Sequence, residues 1–201
     1  QNTAVHNSIA NQRFKFEASF LYCASKACLA NAQSFIVLPS ILWYYAKKFK
    51  LTPERRFNIM KSLKVALLQI LPEKTLEGNL QKGLEYCKKA KMAGADLALF
   101  PEMWSVGYEI PEDFEKLKAS AVSGESEFVL SFGKLAKELC LAIGITFLEA
   151  WDPLPRNTVC LFDCHGAKQL TYAKVHTCDF GEERRLTPGE VFYVADLQTA
   201  Q

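Results

Sequence analysis

Residues 63–100 read LKVALLQILPEKTLEGNLQKGLEYCKKAKMAGADLALF, in which two short apolar runs flank a stretch with helical periodicity. Residues 63–70 and 95–100 are the apolar runs, and such nearly continuous runs are typical of strands covered on both faces. Residues 76–93 place apolar side chains at helical spacing, at Leu76, Leu80, Leu84, Cys87 and Ala90. The segment therefore predicts a strand–helix–strand unit whose two strands are parallel.

The same alternation continues toward the C-terminus. The pattern predicts helices near residues 112–119 and at 126–139, and strands at 141–148, 157–163, 169–175 and 191–197. The strands at 157–163 and 169–175 are predicted to form a hairpin across His165-Gly166. Together these elements predict an α/β fold in which helices cover a sheet.

Charge divides the chain near residue 60. Residues 1–59 carry eight Lys or Arg and two acidic residues, whereas acidic residues are in excess over residues 60–201. The first methionine is Met60, and a strand-like run follows it directly. We therefore interpret residues 1–59 as an N-terminal segment of unclear origin, with the hypothesis that the native start is Met60. Residues 60–201 are interpreted as a partial domain.

The composition excludes several classes of protein. With 49% hydrophobic and 23% charged residues and a net charge of +2, the chain has the balance of a globular protein. Its basic residues do not interleave with aromatic ones, and the glycines form no phosphate-binding loop, so no nucleic-acid partner is expected. The apolar run at residues 35–46 is short and is interrupted by Pro39, so no membrane association is expected.

The cysteines predict reduced thiols rather than disulfides or a metal site. They are odd in number and scattered, at Cys23, Cys28, Cys87, Cys140, Cys160, Cys164 and Cys178. This usage favours a cytoplasmic protein. Because no Cys-x-x-Cys or His-x-x-x-His pair is present, neither a zinc site nor any other metal or cofactor is expected.

Two charged residues directly follow predicted strands, where functional groups of α/β folds gather. Glu102 comes after a buried strand and Pro101, and partial desolvation would raise the pKa of its carboxyl toward the range of a general base. Lys174 comes after the strand segment Leu-Thr-Tyr-Ala and needs an acidic partner, for which Glu102 or Glu182 could serve. Taken singly, each residue could equally form a structural salt bridge.

Taken together, these residues and their flanks resemble the nitrilase, or carbon–nitrogen hydrolase, superfamily. The resemblance lies in Phe-Pro-Glu-Met-Trp at residues 100–104, Tyr-Ala-Lys-Val-His at 172–176, and Glu182 ahead of Thr-Pro-Gly at 187–189. Arg-Asn-Thr at 156–158 and Gly-Ala-Asp at 94–96 agree with it. It extends from about residue 64 to the end of the chain and leaves residues 1–59 uncovered.

The resemblance implies a fold, a reaction and a set of site residues. The fold would be an αββα sandwich, here truncated before the strand that bears the nucleophile. The reaction would be hydrolysis of a non-peptide carbon–nitrogen bond through a cysteine thioester, on a small amide, carbamoyl or nitrile substrate, without a cofactor. Glu102 matches the general base, Lys174 the cation that stabilises the oxyanion, and Glu182 a second glutamate, with Glu183 as the fallback. Full-length members of the family commonly form homo-oligomers.

The aromatic and histidine residues around these positions are candidates for the substrate pocket. Trp104 and Tyr108 follow the base directly and are expected either to line the pocket or simply to pack in the loop. His176 shares a strand face with Lys174 and is expected beside it as a hydrogen-bonding residue.

The family's nucleophile is expected beyond Gln201, on a later strand. Cys178 lies only four residues after Lys174, and Cys160 and Cys164 are expected in the core, so none is a convincing substitute. The chain alone is therefore expected to be inactive. Two rival interpretations stay open: a catalytically inactive nitrilase-like binding module, which would need no cysteine, and a generic α/β domain in which the motifs are coincidental.

Overall fold

The computed structural model describes the backbone of residues 12–17, together with residues 63–178 and 181–200. The interpretation of residues 1–59 therefore lies largely outside the described residues, as does the apolar run at 35–46. The strands are β1 Gln12–Glu17, β2 Val65–Leu67, β3 Leu97–Leu99, β4 Ala142–Glu149, β5 Arg156–Phe162, β6 Lys168–Ala173 and β7 Val194–Thr199. The helices are α1 Leu76–Met92, α2 Phe114–Ser120 and α3 Glu127–Leu139, and a 3₁₀ helix spans Glu182–Arg185.

Five strands form the main sheet in the order β2-β3-β4-β5-β6. The predicted strand–helix–strand unit is confirmed, because β2 and β3 are parallel and α1 connects them. Strand β4 continues the parallel part, and β5 and β6 add an antiparallel hairpin. Strands β1 and β7 pair with each other in a separate antiparallel ribbon, with Glu17 opposite Val194.

Each face of the main sheet is covered differently. Helices α1 and α3 bury their apolar faces on one side, where the largest side chains of the core include Phe100, Trp104, Phe132 and Phe147. On the other side a second apolar cluster contains Leu97, Leu161 and Tyr172 of the sheet and Leu197 of β7. The order of layers is thus helices, five-stranded sheet and the β1–β7 ribbon. Burial of apolar surface between these layers is the main contribution to the stability of the fold.

The ends of the helices follow local sequence signals. Thr75 and Ser126 cap α1 and α3, because each side-chain oxygen accepts a hydrogen bond from a backbone N–H in the first turn.

The last strand differs from the prediction, since β7 begins at Val194 rather than at residue 191. Among the residues described, no helix is long and apolar enough to cross a membrane.

The topology brings the ends of four strands to one edge of the main sheet. Strands β3 and β4 are parallel and therefore end at the same edge. Strand β5 is antiparallel to β4 and begins there, and β6, antiparallel to β5, ends there. Glu102, Asn157 and Lys174 follow or begin these strands, so the fold places them side by side.

The loop from Gly181 to Gly189 returns to this edge and is held to β6 at its end. The backbone N–H of Gly189 donates a hydrogen bond to the Lys174 carbonyl at 2.8 Å. A Cβ on Gly189 would lie 2.2 Å from the Ala173 carbonyl oxygen, which is a backbone atom and cannot move aside cheaply. A Cβ on Gly181 would meet only the Cys178 carbonyl oxygen at 3.6 Å, an ordinary contact.

We expect the substitution Gly189→Ala to lower the free energy of unfolding by about 1–3 kcal/mol, the usual cost of overpacking. Gly181→Ala is the matched control and should change it far less. Urea denaturation of the 201-residue chain measures both. Equal stability of the two variants would contradict the close packing of Gly189 on β6.

Candidate active site

Glu102 lies in the tight turn that follows β3. Thr146, on the neighbouring strand β4, clamps this turn, since its hydroxyl donates to the Pro101 carbonyl and accepts from the Trp104 N–H at 3.1 Å. Met103 adopts a positive φ of 51°, which reverses the chain immediately after the glutamate. The turn therefore fixes Glu102 at the edge of the sheet, where it is only 7% exposed.

Lys174 is the residue that follows β6, and its backbone is fixed on both sides. Its N–H donates to the Asn157 carbonyl at 2.8 Å, and its own carbonyl accepts from Gly189. The residue is 3% exposed. An ammonium group with so little access to water requires charged or hydrogen-bonding partners, because burial of an unpaired charge is very costly.

Two carboxylates supply those partners. The Lys174 Nζ lies 3.2 Å from Glu102 Oε1 and 2.7 Å and 2.5 Å from Glu183 Oε1 and Oε2. Glu183 is fully buried. The structure thus joins Glu102 and Lys174, the two strand-end residues that the sequence singled out, in one buried ion-pair cluster.

The second glutamate of this cluster is Glu183, whereas Glu182, which the motif spacing favoured, is exposed. Both residues lie in the 3₁₀ helix, where side chains three positions apart point in the same direction. Leu186, three residues after Glu183, is buried with Met103 and Leu117, so Glu183 faces inward with it and Glu182 does not. This apolar residue three positions on is the sequence signal that could have distinguished the two glutamates.

Asn157 completes the cluster, although the sequence argument assigned it no role of its own. Its side-chain nitrogen Nδ2 donates to Glu102 Oε1 at 2.6 Å and to Glu183 Oε1 at 3.0 Å. Its position as the second residue of β5 puts it beside Lys174 in the hairpin. The signal that could have identified Asn157 as a site residue is an amide side chain at the start of a strand, since Glu102 and Lys174 also lie at strand ends.

The two glutamates have opposite electrostatic properties. Burial raises the pKa of Glu102, and the nearby Glu183 carboxylate adds to this, more than Lys174 and Asn157 lower it. Burial would also raise the pKa of Glu183, but hydrogen bonds from Lys174, the Cys178 backbone N–H and Asn157 outweigh it, so that its pKa lies below the ordinary value. The surroundings of Glu183 thus favour its ionised form, and those of Glu102 favour its protonated form.

One oxygen of Glu102 has no hydrogen-bond partner. Oε2 is buried and unpaired among the described residues, whereas Oε1 accepts from both Lys174 and Asn157. A buried carboxylate oxygen without a donor is costly, and such atoms call for an explanation such as a bound reactant. Among the described residues, Oε2 is thus the oxygen of Glu102 that can accept a proton without displacing a hydrogen bond.

The other residues expected in a pocket lie elsewhere. Trp104 is 1% exposed and belongs to the core, where its indole N–H donates to the Asn79 carbonyl at 2.9 Å. Tyr108 is partly buried against the cluster that contains Leu186. His176 is exposed, and its ring lies 5.7 Å from that of Phe192, so the structure does not bring it to Lys174.

The described cysteines are thiols with different surroundings. Cys87, Cys160 and Cys164 are buried, and burial raises the pKa of the Cys160 thiol to about 12. Cys140 is exposed, and Cys178 is partly buried with its backbone N–H 2.7 Å from Glu183 Oε2. Within residues 63–178 and 181–200, no group of three or more His, Cys, Asp or Glu side chains is placed to hold a metal ion.

Comparison with known proteins identifies the family. The carbon–nitrogen hydrolase family model matches residues 64–199, which is the greater part of the chain. The chain belongs to the carbon–nitrogen hydrolase family. Because the matched region contains Glu102, Lys174 and Glu183, the buried cluster lies within the family's own domain.

Individual relatives match over part of their own length. The glutamine-dependent NAD(+) synthetase of Thermotoga maritima is 29% identical over 142 residues, 69% of this chain and 24% of that protein. The chloroplastic omega-amidase of Arabidopsis thaliana is 27% identical over 161 residues, 74% of this chain and 42% of that protein. The chain thus spans less than half the length of either relative.

The fold also matches a solved structure. The NitN amidase from Nesterenkonia sp. AN1 superimposes with a TM-score of 0.54 and 24% identity, over 64% of this chain and 50% of that chain. At this identity the match establishes the fold, a mixed α/β fold of the nitrilase superfamily, as the sequence predicted.

The adjacent glutamates allow a matched test of the ion-pair cluster. We expect Glu183→Gln to lower the free energy of unfolding by about 3 kcal/mol, because it leaves the buried Lys174 charge without its nearest partner. Glu182→Gln, one residue away and exposed, should leave stability within experimental error. Denaturant unfolding at neutral pH measures both variants, and a larger loss for Glu182→Gln would contradict the placement.

The raised pKa of Glu102 predicts a pH dependence of stability. A carboxyl whose folded pKa exceeds its ordinary value of 4.5 stabilises the fold below that value, and the contribution is lost as the pH rises through the folded pKa. The glutamine of Glu102→Gln does not titrate, so the variant does not suffer this loss. The free energy of unfolding of the variant minus that of wild type should therefore increase as the pH rises from 4.5. Thermal unfolding across pH measures the trend, with Glu109→Gln, an exposed residue of the same loop, as the control. A constant or falling difference would contradict the raised pKa.

Proposed function

We propose that the chain carries the base and the cation of a hydrolase that cleaves non-peptide carbon–nitrogen bonds of small amide or carbamoyl substrates through a cysteine thioester. The observation that carries the proposal is the buried Oε2 of Glu102, which has no hydrogen-bond partner among the described residues and belongs to a carboxyl of raised pKa beside a charged lysine. A proton acceptor with one open oxygen is what activation of a thiol requires.

In the proposed reaction Glu102 Oε2 takes the thiol proton as the sulfur attacks the carbonyl carbon of the substrate. The Lys174 ammonium stabilises the negative charge that develops on the carbonyl oxygen. Glu102 then returns the proton to the departing nitrogen, the carbon–nitrogen bond breaks, and a thioester remains. In the second half Glu102 takes a proton from water, which attacks the thioester carbon. The carbon–sulfur bond then breaks, Glu102 returns the proton to the sulfur, the acid product leaves, and the thiol is regenerated.

The surroundings of Lys174 suit this role. Glu183 contacts the ammonium with both carboxylate oxygens, which balances its charge and fixes its position before the substrate binds. The site is buried, so the electrostatic interaction with an oxyanion is stronger than it would be in water. Glu183 is therefore proposed as the residue that positions Lys174, in the place that the motif had suggested for Glu182.

The cysteine is proposed to lie beyond residue 201 of a longer natural chain. The buried thiols Cys87 and Cys160 have raised pKa values and are poor nucleophiles. The relatives extend well beyond the matched region. In a variant of the Nesterenkonia amidase, acrylamide adds to the active-site cysteine by Michael addition. These observations support a thiol mechanism.

The substrate class is proposed from the amide chemistry in the names of the relatives. The matched proteins include an omega-amidase, an amidase and a glutamine-dependent synthetase. A small amide or carbamoyl substrate fits this set. The cytoplasmic location is proposed from the cysteine usage, and the homo-oligomeric state from the family resemblance.

The test uses the longest natural form of the protein, with the 201-residue chain for comparison, and measures ammonia release from a panel of small amides and carbamoyl compounds. We expect Glu102→Gln to reduce kcat by about 10²–10⁴-fold, the usual contribution of a general base. Glu109→Gln, exposed in the same loop, should retain wild-type activity.

Alkylation of the cysteine tests the same role without a substrate. Iodoacetamide should label one cysteine of the natural form rapidly, and Glu102→Gln should slow this labelling while Glu109→Gln does not. Near-normal turnover or labelling in Glu102→Gln would contradict the proposal. A natural form that contains no such cysteine would favour the binding-module interpretation instead.

A further inference from the structure

Asn157 joins the two glutamates of the cluster through a single atom. Its Nδ2 lies 2.6 Å from Glu102 Oε1 and 3.0 Å from Glu183 Oε1, and the residue is buried. An amide nitrogen carries two hydrogens, so it can donate one to each carboxylate at the same time. Nothing in the proposed reaction uses this group directly, yet its geometry constrains both acids.

We propose that Asn157 is a positioning residue that determines which oxygen of Glu102 accepts the proton. By donating to Oε1, together with Lys174, it keeps that oxygen an acceptor and leaves Oε2 as the basic atom. This inference deepens the proposed function and rests on it, since it concerns the base of that reaction.

The numbers of donors explain the assignment. Glu102 Oε1 already accepts two hydrogen bonds, so a proton placed there would displace one of them, whereas Oε2 accepts none from the part of the chain that the structure describes. Both oxygens of Glu183 are occupied, Oε1 by Lys174 and Asn157 and Oε2 by Lys174 and the Cys178 N–H. The proton therefore goes to Glu102, and on Glu102 to Oε2.

The position of Asn157 is fixed by its neighbours in β5. Side chains alternate between the faces of a strand, so Arg156 and Thr158 point to the face opposite Asn157. There both bind Glu149 Oε2, Arg156 at 2.7 Å and Thr158 at 2.8 Å. The Asn157 carbonyl also accepts from the Lys174 N–H. The strand is thus anchored on one face while it presents the amide to the carboxylates on the other.

A positioning role can be separated from a packing role by two substitutions. Asn157→Leu keeps the branched shape of the side chain and removes both N–H donors, whereas Asn157→Ala removes shape and donors together. A donor role predicts that both variants raise the pKa of Glu102, because the Asn157 hydrogen bond holds it down. A packing role predicts that Leu resembles wild type and that Ala alone differs.

The experiment is a ¹³C NMR titration of the Glu102 side-chain carboxyl in the 201-residue chain, assigned with Glu102→Gln. We expect its pKa to rise by about one unit in both Asn157 variants, the size of one hydrogen bond to a charged group. Asn79→Ala is the matched control. Asn79 is also a buried asparagine with two side-chain hydrogen bonds, to the Glu73 N–H and the Ser105 carbonyl, so its loss should destabilise the fold without moving the Glu102 titration.

The wild-type chain provides a measurement that does not depend on any variant. Both Nδ2 proton resonances of Asn157 should shift as Glu102 titrates. The inference is overturned if neither resonance responds, or if Asn157→Leu titrates like wild type.

Kinetics of the longest natural form distinguish this inference from the proposed function. The acid limb of kcat/KM against pH should move to higher pH in Asn157→Leu, because the base must be deprotonated to act. Absence of turnover together with a shifted Glu102 titration would contradict the proposed function and support the role of Asn157. Turnover with an unmoved acid limb in Asn157→Leu would overturn the role of Asn157 alone.

Discussion

The ammonium group of Lys174, buried between two carboxylates, is the constraint on which the site depends. Its charge has to be balanced in the absence of water, so the turn with Glu102 and the loop with Glu183 must both reach the end of β6. The two segments are joined directly as well, because Arg185 donates to the Ile110 carbonyl at 2.8 Å and Leu186 packs with Met103. Ion pairing and apolar packing therefore assemble the same edge of the sheet.

The two carboxylates are chemically identical, and their surroundings make them different. Glu183 receives donors on both oxygens, which stabilises its ionised form, while Glu102 receives them on one oxygen and is otherwise desolvated. Paired acids whose environments push their pKa values apart can divide the work of charge stabilisation and proton transfer. In the proposed reaction, a thiol brought to Glu102 Oε2 would find its base already oriented.

The sequence predicted the parts of the fold and the site that depend on local pattern. Hydrophobic periodicity predicted α1 and the strands on either side of it. The positions of Glu102 and Lys174 directly after predicted strands identified them as candidate site residues, and the structure brings the two into contact. Motif spacing favoured Glu182, but such spacing carries no information on the phase of a 3₁₀ helix, and in the structure Glu183 is the glutamate that contacts Lys174. Trp104 was expected at a pocket or in loop packing. It lies in the apolar core and donates to the Asn79 carbonyl, and these long-range contacts are not recorded in any local pattern.

The most direct test of the account is the order in which the two buried carboxyls titrate. Their ¹³C resonances can be assigned with Glu102→Gln and Glu183→Gln and followed across pH in the wild-type chain. The account predicts that Glu183 titrates below the ordinary value of 4.5 and Glu102 above it. The reverse order, or two midpoints near 4.5, would contradict the claim that Glu102 is the proton acceptor and Glu183 the fixed partner of Lys174.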